Sequence, residues 1–514
     1  MSGVTATARR PHPETGRRRT AGRPGTGPVS LMRFEGARLL RSPLLWGAAA
    51  LTVALRTWQT WFRVPDWSVV TMDASYAGLI VAAAALMAAN IATTRERRHG
   101  MPEMLGALPV RAPARTRALI VATPAVAAGV AGVATAVHLL SLLPTSAAGR
   151  FDPWEALTGP VAAALGAVLG VALGRWLPSL VAGPVAVFAF AVPIELGREG
   201  SPWAALLPVI VHHEVPVFVA PRPSAAHLVY LLAATLLLAG LGMCRHGLRL
   251  RRALAVVTGL AVAVPTGATA VAGAHFAPAE ALAPLMLPSA HHCRDVDRVR
   301  YCAYPGYQRW IPLWSQAVHP VVAAIPPAAR DRVPEIRQRV GFVSMGVRRM
   351  TALPPRWAHL SGPFFDWGRN GVERTSQAWL GGQVAAEVAG LPLVWYRMLT
   401  TDPHNGASNI HVYQGTPGCA AWGQARTLVA LWLGGQAGPV RTAALSWAET
   451  EDSERRAAER LYGYAERLVR RPDARERVWA NWSTLMDPKT TVEQGLPLLG
   501  LTPDPDDAER RACS

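Results

Sequence analysis

Seven apolar runs, each about as long as a bilayer is thick, limit what this chain can fold into. A helix that crosses the hydrocarbon core needs about 20 mostly apolar residues. Such runs fall at Ser42–Trp58, Ala74–Thr93, Ala118–Leu143, Leu157–Leu177, Leu180–Leu196, Ala226–Cys244 and Ala253–Ala274. Helices of a water-soluble core rarely stay apolar for so long. The spacing therefore predicts a mainly α, polytopic transmembrane bundle within residues 29–274. The first run is the least regular. Arg41 precedes it, Arg56 lies near its end, and Trp46, Trp58 and Trp61 flank it. The tryptophans are expected at the interface, with both arginines snorkelling towards water.

Past Ala274 the composition changes, and charges, Trp and Pro are spread throughout. Residues 284–514 are enough for a core of their own. Apolar spacing predicts a mostly helical extracytoplasmic domain. Its helices are expected at Trp314–Ile325, Val333–Val340, Ser376–Ala389, Ala425–Leu433, Val440–Trp447 and Glu451–Arg471. The motif Trp-Leu-Gly-Gly-Gln occurs twice, at Trp379–Gln383 and Trp432–Gln436, which is either a trace of duplication or chance.

The net charge is +18, and Lys489 is the only lysine. A strongly basic chain points to nucleic acid or to anionic lipid. Here the arginines cluster in residues 1–28, read as a disordered basic tail, and between apolar runs. That placement favours the lipid bilayer over nucleic acid. Met1–Arg41, Thr94–Arg117, Gly174–Ser179 and Arg245–Arg252 hold most of the loop arginines, whereas the alternate loops and span ends hold Arg56, Arg63, Arg150, Arg198 and Arg222. By the positive-inside rule the N-terminus is cytoplasmic, in a multi-pass protein of the cell membrane. Seven crossings would then put the C-terminal domain outside. The first apolar run begins too far from the N-terminus to read as a signal peptide.

The stretch between the second and third runs reads Arg95-Glu96-Arg97-Arg98-His99-Gly100-Met101-Pro102-Glu103-Met104-Leu105, then Leu108-Pro109-Val110. It resembles the inner loop after the second span in permease subunits of ABC-2-type exporters, where a short helix docks on the ATPase subunit. On that resemblance Arg95, Glu96, Arg97, Arg98, Gly100, Glu103, Leu105, Leu108 and Pro109 form the docking loop. Pro102 can open a helix there, with Leu105 and Leu108 on one face. Val29–Arg41 mixes apolar residues with arginines, like the family's elbow helix at the inner surface. The long apolar stretch Gly197–Ala225 resembles its re-entrant outer helices. The resemblance covers Val29–Cys244 and implies a dimer, homo- or heteromeric, energised by a separate ATP-binding cassette subunit. No Walker A motif is present in this chain. A seventh run and a large C-terminal domain depart from the simplest plan of the family.

Other residue patterns are weaker. Gly166, Gly170 and Gly174 form a doubled GxxxG face suited to close helix packing. Cys293 and Cys302, nine residues apart, suit a disulfide outside the cytoplasm, and Cys419 with Cys513 is a second candidate pair. His291, His292, Cys293, Asp295 and Asp297 are too crowded in sequence for a metal site, and Asp402, His404 and His411 have no recognised spacing. Neither set is expected to bind a metal, and no cofactor motif occurs. Asn90 and His138 sit inside apolar runs, where an interhelical hydrogen bond is the expected role. Neither HExxH nor GxSxG occurs, so no catalytic residue is assigned. Three readings remain: an exporter permease subunit, a membrane-anchored extracytoplasmic binding or sensing protein, and a membrane enzyme without a recognised motif.

Overall fold

The computed structural model describes residues 27–98, 111–196, 202–210, 222–273, 288–338, 351–352, 367–391, 395–401, 408–414, 421–444 and 452–504. The chain is mainly helical, and five helices are long and apolar enough to cross a membrane. The helices of the first half are α1 (Gly27–Leu40), α2 (Pro43–Trp61), α3 (Trp67–Arg98), α4 (Ala112–Leu142), α5 (Pro153–Trp176), α6 (Ala182–Leu196), α7 (Ser224–Cys244) and α8 (Leu250–Gly273). The five long ones are α3, α4, α5, α7 and α8. Most begin before the apolar run predicted for them, because polar or charged ends such as Trp67–Asp73 join the same helix. Arg56 of α2 does not snorkel to water. Its side chain is largely covered, donates to Gln59 and lies 3.5 Å from Asp73 of α3.

The centre of the bundle is the pair α3 and α5, which run parallel in close contact. The Gly166, Gly170 and Gly174 face lies along α3. A Cβ on Gly166 would stand 2.5 Å from the Ala82 carbonyl oxygen, and one on Gly170 would overlap the Leu86 carbonyl. A Cβ on Gly174 would come within 2.7 Å of Thr93. Gly78 and Gly159 meet backbone to backbone one end higher. At Gly78, Gly159, Gly166 and Gly170 the two backbones approach closely and gain dispersion contact, which favours association where no hydrophobic effect acts between helices. α7 and α8 form an antiparallel pair closed by Gly240 against Val256 and Gly259 against Leu237.

Contacts along the bundle show that its helices alternate in direction. Thr116, near the start of α4, meets His246, just after α7, and Asn90 of α3 meets Ser179, just before α6. These residues mark one end, which also carries Arg95, Arg111, Arg115, Arg117, Arg175, Arg245, Arg249, Arg251 and Arg252. At this basic end α1 packs on α4 with Gly36 against Ala122 and Val126, and Glu35 pairs with Arg95 at 3.1 Å. Phe34 and Leu40 of α1 stay exposed beside its arginines.

The C-terminal domain sits on the opposite end. It comprises β1 (His292–Val296), β2 (Val299–Ala303), α9 (Ile311–Ala324), β3 (Ile336–Arg337), β4 (Thr351–Ala352), α10 (Glu373–Val388), β5 (Trp395–Thr401), β6 (Ser408–Gln414), α11 (Ala425–Gly434), α12 (Val440–Ala444), α13 (Asp452–Val469) and three short helices up to Leu498. Its core holds fully buried Trp310, Trp314, Trp422, Tyr301, Tyr307 and Tyr464. Two three-stranded sheets, β1-β2-β3 and β4-β5-β6, accompany the helices. Over its described part, Val333–Gln338, the predicted helix Val333–Val340 is therefore not formed. Ile336 and Arg337 pair in parallel with Tyr301 and Cys302, so cross-strand pairing prevails over local helical spacing. The first Trp-Leu-Gly-Gly-Gln segment lies within α10 and the second spans the C-terminal end of α11, and Gly434 approaches the Gly382 backbone. Close approach of two helices gives the repeat a packing role.

Domain and bundle meet in a bonded junction. The Val64 amide donates to the Trp367 carbonyl at 2.6 Å, and the Trp310 indole donates to the Ser146 carbonyl at 3.0 Å. Arg369 and Asn370 donate to the last carbonyls of α2, at Thr60 and Trp61. Asp66 is buried at the centre. It accepts from the Ser68 amide at 2.8 Å and from the Tyr307 hydroxyl at 2.6 Å. Gly149, at φ 89°, lies against both side chains, where any Cβ would clash and strain the backbone. Burial pushes the Asp66 carboxyl up to about 6, partly offset by the bonds it accepts.

Two predictions follow from these contacts. Gly170→Ala should lower thermal stability in detergent by the equivalent of about 1–3 kcal/mol, as overpacking does. Gly132→Ala, whose Cβ meets nothing within 4 Å, should be neutral. Because the folded pKa of Asp66 is raised, its stabilisation is complete below the unfolded value and is lost as pH rises from about 4 to about 6. A wild-type melting series across that range should slope downwards, and Asp66→Asn should flatten it. Parallel curves would reject the assignment to Asp66.

Candidate functional site

Just inside the domain end of the bundle, a non-helical segment enters among the helices. After a 3₁₀ turn at Pro202–Leu206, Leu207–Ile210 runs back towards the domain end, with Ala205, Val209 and Ile210 fully buried. Irregular backbone at membrane depth survives only where protein surrounds it and its polar groups are bonded. Four side chains meet that need. The Tyr230 hydroxyl donates to the Leu206 carbonyl at 3.0 Å, and His227 Nε2 donates to the Leu207 carbonyl at 2.9 Å. Arg222 Nη2 and the Tyr76 hydroxyl both donate to the Ile210 carbonyl, at 2.8 and 3.2 Å. The segment is thus a lid pinned by its carbonyls.

A buried carboxylate anchors the anchors. Glu155 stands in the first turn of α5, where Asp152 caps the helix by accepting from the Trp154 and Glu155 amides. Its side chain is almost fully buried. It accepts from the Ser75 hydroxyl of α3 at 2.9 Å and the Ser224 hydroxyl of α7 at 3.0 Å. The second oxygen also lies 3.8 Å from Arg222 Nε. Glu155 therefore joins three helices and balances the cation that holds the lid. Among the described residues, Arg222 Nη1 and His227 Nδ1 are buried with no hydrogen-bond partner.

Under the lid lies an apolar cavity of about 380 Å³. Leu79, Ala82 and Leu86 of α3 form its back with Ala162 and Gly166 of α5, while Phe190 and Ile194 of α6 and Leu231 and Leu238 of α7 form its sides. Leu206 and Pro208 of the lid close it towards the C-terminal domain. A second apolar hollow lies on the other side of α6, against Leu44, Leu51, Met87 and Phe188. α6 packs on α3 and α5 but keeps Val185 and Phe188 exposed.

The residues singled out in the sequence lie mostly elsewhere. Of the docking loop, Arg95 pairs with Glu35. Glu96, Arg97 and Arg98 belong to the last turn of α3, and Gly100, Glu103, Leu105, Leu108 and Pro109 lie outside the described residues. Asn90 donates to the Ser179 carbonyl at 3.1 Å, a helix-to-loop bond, not an interhelical one. His138 is buried, but neither ring nitrogen has a hydrogen-bond partner among the described residues. Cys293 and Cys302 are bonded as a disulfide across the β1–β2 pair, where they are register partners. The hairpin turns at Asp297 and Arg298, both at positive φ, as a two-residue turn requires. Glu335 brings a carboxylate to the same place. Bonded sulfurs offer no thiolate, and the Arg337 guanidinium already donates to Glu335 at 2.6 Å. His291 donates to the Gln338 carbonyl, and Asp297 lies 3.6 Å from His319 at the surface. Asp402, His404, Cys419 and Cys513 are outside the described residues, as is the side chain of His411.

Sequence reasoning missed Glu155, His227, Tyr230 and Ser75. Glu155 looks like an ordinary acid at a helix start, and burial cannot be read from that position. Compared with known protein families, curated proteins and solved structures, the chain matches none.

Glu155→Ala leaves Arg222 buried without its counter-charge, so a stability loss of about 3–5 kcal/mol is expected. Glu155→Ala combined with Arg222→Leu should recover part of it, and a double variant no more stable than the single one would reject the coupling.

Proposed function

We propose that this chain is the membrane subunit of an exporter similar to the ABC-2 type, driven by a separate ATP-binding cassette subunit. In this reading seven helices cross the cell membrane, α2 and α6 included. The N-terminus and residues 96–110 face the cytoplasm, and the C-terminal domain is extracytoplasmic. Two permease chains, identical or different, assemble around the substrate path.

The observation that carries the reading is the Glu35–Arg95 pair. It ties α1, a helix at the basic end that mixes apolar residues with arginines, to the last turn of α3, which precedes residues 99–110. Force applied by an ATPase at that loop would reach α3 and α1 together. α3 packs on α5 with glycines against its backbone, so in this reading the two would move together. The clustering of arginines at this end supports a cytoplasmic placement. The pinned lid and the cavity below it supply the opposite end of a path.

A second reading is favoured by the size and dense core of the C-terminal domain. There the bundle is an anchor and the domain is an extracytoplasmic binding or sensing module that transports nothing.

Affinity purification of the full chain from its native membrane in mild detergent separates the two. The exporter reading expects a stoichiometric ATP-binding subunit, lost on Arg97→Glu with Arg98→Glu. Recovery of the chain alone, under conditions that keep other membrane complexes intact, supports the anchor.

A further inference from the structure

We propose that the cavity between α6 and α7 is a binding slot for one hydrocarbon chain of a membrane amphiphile, entered sideways from the hydrocarbon core at mid-depth of the helices. This names a substrate class for the exporter reading and rests on it for the step of transport.

The wall chemistry selects the ligand. Apart from Tyr230 the lining is aliphatic or aromatic hydrocarbon, and the Tyr230 hydroxyl is already committed to the Leu206 carbonyl. A polar ligand would give up its water here and find nothing to bond, which costs several kcal/mol per group (roughly 2–7). Water itself does not fill such walls, because a buried water needs polar partners. A hydrocarbon chain meets no such penalty.

Size and shape agree. A volume of about 380 Å³ far exceeds a packing void and falls in the usual range of ligand pockets. On α3 the lining runs from Leu79 to Leu86, and on α7 from Tyr230 to Leu238. At helical rise each stretch is about 10–12 Å long, so the slot extends along the bundle axis.

The route of entry follows from what covers each side. The lid closes the slot towards the C-terminal domain, with its carbonyls pinned by Arg222, His227, Tyr76 and Tyr230. α3 and α5 close the back. α6 packs on α3 and α5, while α7 packs on α5 and α8, so the open side lies between α6 and α7. Exposed Phe190, which also lines the slot, stands there.

The test uses the full chain in detergent with a fatty acid that carries a photoreactive group near its tail. After irradiation the adducts are mapped by peptide mass spectrometry. The expected result is adducts concentrated on slot residues such as Phe190 and Leu238, and competed away by excess unlabelled fatty acid. Ala162→Phe fills the slot from the back and should lower labelling by about tenfold or more. Ala191→Trp blocks the exposed mouth and should do the same, which covers the case that the first variant fails to fold. Adducts spread evenly over the outward faces of α4 and α8, without competition, would mean annular lipid only and overturn the proposal. So would labelling unchanged in both variants. A labelled slot without a recovered ATPase keeps the binding site and sinks the exporter. A recovered ATPase with an unlabelled slot does the reverse.

Discussion

The bare contact between α3 and α5 is the interaction on which the rest of the architecture depends. Two parallel helices in one bundle require a third to return between them, and α4 fills that role. The remaining helices then take places around a pair already fixed. Glycine at 166 and 170 removes the side chains that would hold the backbones apart. Within lipid no hydrophobic force favours one helix partner over another, so this steric match does the selecting.

The same absence of water governs the lid. Leu206 ends a 3₁₀ turn and Leu207–Ile210 is not helical, so no following helical turn meets their carbonyls. Each of three carbonyls is met by a side chain from α3, from α7 or from the turn before α7. Glu155 then neutralises the arginine that serves this purpose, and its remaining bonds go to Ser75 and Ser224. One irregular stretch of backbone thus accounts for a whole buried polar cluster. It also accounts for the cavity, since a lid fixed from above leaves the space below it unfilled.

At the junction with the C-terminal domain the logic is different. There the contacts are backbone amides, indole and guanidinium groups meeting carbonyls, as in a soluble core. Asp66 is the exception, an acid held among apolar groups by Tyr307 and Ser68. Burial holds its carboxyl above the usual carboxylate range, while Tyr307 and Ser68 donate to it.

Residue order alone determined that the chain is helical and built for a membrane, because twenty apolar residues in a row leave few alternatives. It also placed Gly166, Gly170 and Gly174 on one face, since a spacing of four is a property of the helix itself. The spacing of Cys293 and Cys302 suggested a disulfide-closed loop, but that they face each other across a hairpin came only with β1 and β2. What stayed hidden were relations between distant segments. Glu155 meets Ser75, Ser224 and Arg222 only because three helices converge, and nothing near Glu155 in the chain signals its burial. Ile336 and Arg337 became a strand because β2 offered unpaired backbone groups. Local spacing reports periodicity, whereas burial, bonding partners and cavities arise only once separate segments exclude water together. That step belongs to tertiary structure.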